Sequence, residues 1–123
     1  MSTYYRPEHG EVGSMGEEME YFRIVPLNHP NREAMHASLQ RRLEDLLKSL
    51  HGQDAIFENR IRELREELRS LSAGGGRMQA IRDNLVEEID AEINVLSRQQ
   101  RSLASSIDTV IGWCAELRGT GQA

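Results

Sequence analysis

Glu33-Ala34-Met35-His36 has the Glu-x-x-His spacing with which helical bundles hold di-iron centres. Such a centre needs further carboxylates projecting inward at the same depth. The residues expected opposite are Cys114 and Leu117, with Glu116 turned away. His36 facing Cys114 pairs two zinc-ligand types, which amounts to a half-site completed only in a dimer. The simpler reading is an interior histidine beside a small apolar cysteine. His9, His29 and His51 have no clustered partners, and Ser102, Ser105 and Ser106 read as helix-surface serines. Gly74-Gly75-Gly76 is not a phosphate loop, because no Lys-Ser/Thr follows it and no strand precedes it. No catalytic residue, cofactor site or metal site emerges, so the expectation is a non-enzymatic protein.

The arginines suggest a different chemistry. Fourteen of the fifteen basic residues are Arg, and Arg60, Arg62, Arg65 and Arg69 lie close together. Glu58, Glu63, Glu66 and Glu67 are interleaved with them and cancel most of their field. No aromatics accompany the block for base stacking, and the chain has a net charge of −5. Both features argue against a nucleic-acid partner. The arginines are instead expected to meet acidic residues of the same chain at Asp83, Glu87, Glu88, Asp90 and Glu92, with Arg62 near Glu88 and Arg65 near Leu85.

The elements that would bring these blocks together are legible in the apolar pattern. Leu43, Leu50, Phe57, Leu64 and Leu71 recur every seven residues, with Leu47, Ile61 and Leu68 on a companion row. Beyond the triple glycine the pattern resumes. Ile89, Leu96, Leu103, Val110 and Leu117 form one row, and Val86, Ile93, Ile107 and Cys114 the other. Folding the chain at Gly75 matches Leu43 with Ile107, Phe57 with Ile93, Ile61 with Ile89 and Leu64 with Val86, the layering of antiparallel helices. The expected fold is all-α: a long antiparallel coiled-coil hairpin with a helix at 31–72, a turn at 73–76 and a helix at 77–118. Two hairpins are expected to associate as a four-helix bundle. Gly52 is a candidate kink, and Gln40, Asp54 and Gln100 are polar interruptions of the seam.

Residues 1–30 read as a disordered N-terminal arm, with three glycines and three prolines, several acidic residues and no helical period. Within the arm, residues 21–27 form an apolar, extended docking peptide that carries Tyr21, Phe22, Ile24, Val25 and Leu27. It can dock on a partner or fold back on the base of its own hairpin. Residues 119–123 read as a flexible tail.

The apolar stripe widens at the open end of the hairpin, where Met35, Leu39, Leu46, Ile111 and Trp113 supply surplus apolar surface for association. Near the turn the equivalent positions are Arg60, Glu67, Asp90 and Glu92, so the tip reads as a solvated arm. Cys114 is the lone cysteine, and there is no apolar run long enough to span a membrane and no signal peptide, which points to the cytoplasm, with the nucleus or export without a cleaved signal as alternatives. The functional expectation is a scaffold or adaptor. It self-associates or joins a larger helical complex through the hairpin and docks a protein through residues 21–27. The alternative is a small chaperone or inhibitor that shields an amphipathic helix of a client.

Overall fold

A computed structural model describes residues 7–73 and 78–120. Among them are three helices: α1 (Pro7–Ile24), α2 (Arg32–Ala73) and α3 (Gln79–Thr120). No strand occurs among the described residues. α2 and α3 contain 42 residues each. α2 runs unbroken through Gly52. The expected turn glycines Gly74 to Gly76, the expected helix start at Arg77 and the last three residues of the expected tail lie outside the described residues. Met78, which precedes α3, has φ 59°, and its carbonyl accepts the Arg82 N–H at 3.0 Å.

The N-terminal arm corrects the expectation. Residues 7–24 are helical, and the start of the 21–27 segment is the last turn of α1 rather than an extended peptide. The reason is a short apolar row, Val12, Met15, Met19 and Phe22, spaced for one face of a helix. Met15, Met19, Phe22 and Val25 are buried. Three glycines within α1 weaken it by about 1 kcal/mol each relative to Ala, so its helicity depends on this packing.

The chain divides into two compact units. The first contains α1, α2 up to Gly52 and α3 from Ser105. Leu39, Leu43, Leu46 and Leu50 from α2 and Ile107, Val110, Cys114 and Leu117 from α3 are buried in it, along with Met15, Met19 and Phe22 from α1. The second contains Gln53–Ala104. Its core is Ile61, Leu64, Ile89 and Ile93, with Leu68, Leu71 and Leu96 packed against them. Here Gln100 donates to Asp54 at 3.2 Å and to Glu58 at 2.7 Å, and Arg60 meets Glu92 at 3.2 Å. Rising numbers on α2 thus meet falling numbers on α3.

The expected charge pairing is narrower than the block suggested. Arg60–Glu92 is the ion pair that joins α2 to α3 in this unit among the described residues. Arg62 donates to Asn59 and Arg69 pairs with Glu66, both along α2. Long side chains on one helix reach partners three positions away more readily than partners across a seam.

Candidate partner-docking surface

The first unit places most of the residues singled out for docking and association. Pro26 cannot supply a helical N–H, and the backbone leaves α1 after Ile24 through successive tight turns. Val25 N–H donates to the Phe22 carbonyl at 3.3 Å, and His29 N–H to the Pro26 carbonyl at 3.0 Å. Asn31 N–H donates to His29 Nδ1 at 3.1 Å. The Asn31 carbonyl then accepts Met35 N–H at 2.9 Å, which opens α2.

Arg32 ties the two helices together at this corner. Its Nη1 donates to the carbonyls of Phe22 at 3.3 Å, which also accepts the Val25 N–H, and of Val25 at 3.2 Å, just beyond the end of α1. Its guanidinium also lies 4.3 Å from the centroid of the Phe22 ring. His36 packs against the same ring at 5.9 Å, and its Nε2 lies 2.7 Å from the Leu117 carbonyl. His36 therefore has a backbone partner, as a satisfied interior histidine does. Cys114 is buried, and burial raises its thiol pKa.

Because residues 21–24 are helical, their side chains divide by helical rather than strand spacing. Phe22 and Val25 point inward and are 2% and 7% exposed. Tyr21, Ile24 and Leu27 are 59%, 78% and 81% exposed. Tyr21 borders a groove of about 580 Å³ between α1 and α2, floored by Phe22, Ala34, Met35 and Leu39 and edged by Glu17. Leu27 borders a second hollow of about 430 Å³ that reaches Pro30 and His36.

The five residues expected to form one association face are separated. Leu39 and Leu46 are 4% and 3% exposed, interior residues of this unit. Met35 is half-buried in the groove floor. Trp113 is half-buried beside Gly16, where an added Cβ would stand 3.4 Å from the indole. Ile111 is 43% exposed and, two residues from Trp113, lies nearly opposite it on α3. The surplus apolar surface of the base is thus covered in large part by α1 of the same chain. The sequence reading missed the side chains that hold α1 there. Arg42 forms a bidentate pair with Glu18 at 2.6 and 2.5 Å, and Arg23 one with Glu116 at 2.7 and 2.8 Å. The Arg23 hydrogen bonds hold the Glu116 carboxyl below the usual carboxylate range. The Glu17-Glu18-x-Glu20 run followed by Arg23 was the available signal, but its partners are distant in sequence.

Among the described residues no helix is long and apolar enough to cross a membrane. No known protein family matches this chain, and no curated protein or solved structure is significantly similar to it.

Proposed function

We propose that this chain is a non-enzymatic helical adaptor of the cytoplasm. In this reading α2 and α3 form an antiparallel coiled-coil hairpin, α1 covers its base, and the surface around Tyr21, Ile24 and Leu27 docks a partner protein. One observation carries the proposal: the division of the 21–27 segment. Phe22 and Val25 are anchored inside while Tyr21, Ile24 and Leu27 face outward, Tyr21 beside an apolar groove and Leu27 beside a second hollow. Single exposed apolar residues are ordinary, but three within seven residues form a patch of the kind that marks an interaction site. Anchoring also fixes their positions before a partner arrives, which reduces the ordering entropy of binding.

A second reading, a chaperone or inhibitor that shields an amphipathic helix, is favoured by α1 itself. The base already holds one helix in cis through the buried row Met15, Met19 and Phe22, so a client helix with an apolar stripe would compete for the same place. Site-specific photo-crosslinking in the native host separates these readings. A crosslinker at Leu27 is expected to capture one discrete protein, and Tyr21→Glu is expected to abolish the capture. A crosslinker replacing Leu39, which is buried on the base, would capture a client only if α1 is displaced, and that result would favour the chaperone reading. The adaptor reading fails if Leu27 captures nothing, or if Tyr21→Glu leaves the capture unchanged. Light scattering on the same protein tells whether the captured species is a second copy.

A further inference from the structure

The second unit was expected to be a solvated arm, yet it carries exposed apolar residues away from its seam. We infer that this unit holds a docking surface for a basic amphipathic helix of a partner protein. The inference is independent of docking at Tyr21–Leu27. The surface centres on a hollow of about 360 Å³ between α2 and α3, with Leu71, Leu85 and Ile89 as its apolar lining. Leu85 is 41% exposed, and Ile81, one turn earlier on the same side of α3, is 53% exposed. Such a cleft beside two parallel-lying helices accepts the apolar stripe of a third.

Charge specifies the occupant. Glu66 and Glu67 edge the hollow from α2. Glu88 and Glu92 follow Leu85 by three and seven positions, so they continue its side of α3. Two basic residues on this side are already engaged: Arg60 by Glu63 at 3.4 Å and by Glu92 at 3.2 Å, and Arg82, three positions before Leu85, by Gln79 at 3.4 Å. Glu66 is paired with Arg69, whereas Glu67 and Glu88 form no ion pair among the described residues. An apolar floor with an acidic rim complements a helix that has leucines on one stripe and lysines or arginines beside it. A second copy of this chain is a poor occupant, because it would bring the same carboxylates face to face.

The test uses the full chain and a fluorescein-labelled 18-residue helical peptide with a leucine stripe flanked by lysines, read by anisotropy. A peptide of the same stripe flanked by glutamates serves as the comparison. The lysine peptide is expected to bind, and the glutamate peptide to bind at least about tenfold more weakly. Leu85→Glu, Ile81→Gln and the double variant Glu67→Lys/Glu88→Lys are each expected to weaken the lysine peptide by about tenfold. Asp83→Lys/Glu87→Lys, on another side of α3, is expected to change affinity by less than about twofold. Circular dichroism of each variant confirms that it remains helical, and two independent apolar positions guard against one misfolded variant. Equal losses from both charge-reversed pairs would reduce the effect to net charge and overturn the inference. So would unchanged affinity in both Leu85→Glu and Ile81→Gln, or failure of the lysine peptide to bind. A wild-type dimer that Leu85→Glu converts to a monomer would overturn it in favour of a second copy. Crosslinking from Leu27 reports on the first unit alone, so either reading can fail while the other stands.

Discussion

Phe22→Ala is the sharpest test of how α1 is held. The ring is 2% exposed, lies under the Arg32 guanidinium at 4.3 Å and packs against His36 at 5.9 Å. Burying a side chain of this size contributes about 1.5–3 kcal/mol. The cation–π contact adds roughly 0.5–1 kcal/mol at a partly exposed position. The cavity left behind raises the loss further, toward the 3–5 kcal/mol usual for Phe→Ala in a core. A loss of about 3 kcal/mol is expected for α1. It exceeds what an isolated 18-residue helix with three internal glycines can supply. The variant should therefore release α1 as a unit while leaving the second unit folded. Hydrogen exchange reads this directly: the α1 amides should lose about two orders of magnitude of protection, while amides around Ile61 and Ile93 change little. Release would also uncover Leu39 and Leu46, so light scattering should show concentration-dependent association. A loss of protection below about fivefold, or an equal loss in both units, would refute the packing argument.

Three further outcomes follow from the same contacts. Gly13→Ala and Gly16→Ala should each stabilise α1 by about 0.5–1 kcal/mol in hydrogen exchange. A methyl at Gly13 meets nothing within 4 Å, and one at Gly16 meets the Trp113 indole at ordinary contact distance. The Glu116 carboxyl is held low by its hydrogen bonds from Arg23, so its contribution is present above the unfolded carboxyl pKa and is lost as pH falls through the lower folded value. Protection of the α1 C-terminal turn should therefore drop below about pH 4 in the native chain, and Glu116→Gln should remove that step. Replacing Asp54 and Gln100 together by leucine, which removes their 3.2 Å hydrogen bond from the part-buried seam, should raise the urea midpoint by an amount equivalent to about 1–2 kcal/mol. Gln100→Leu alone should not, because it leaves Asp54 without that donor.

The long helices were readable because their information is periodic and local. Rows such as Leu43-Leu50-Phe57-Leu64 and Ile89-Leu96-Leu103-Val110 repeat over about six turns, and an Asn before Arg32 marks a helix start. α1 was not, because its apolar row has four members, is preceded by Gly10 and is interrupted by Gly13 and Gly16. Its helicity is decided by what it packs on, and a glycine beside Trp113 looks the same in sequence as a glycine in a disordered arm. For the same reason the apolar base was visible but its cover was not: Leu39 and Leu46 read as surplus until α1 is placed over them. Tyr21 and Phe22 were both recognised as docking residues, yet only three-dimensional placement assigns one outward and the other inward. At the other end Ile81 and Leu85 fall off the seven-residue rows, so a reading built on those rows passed over them.

The corner built by Arg32 has a kinetic meaning. Its guanidinium reaches the Phe22 and Val25 carbonyls only after the start of α2 has formed, and Phe22 finds Arg32 and His36 on that same stretch. Arg23 and Arg42 likewise close onto residues 93 and 24 positions away. Contacts of that kind are absent from a transition state built on the seams of α2 and α3. Truncations along the Met15–Phe22 row should therefore leave the refolding rate nearly unchanged and appear almost wholly as faster opening, with φ-values near zero. The N-terminal helix would then be the last segment to arrive and the first to leave.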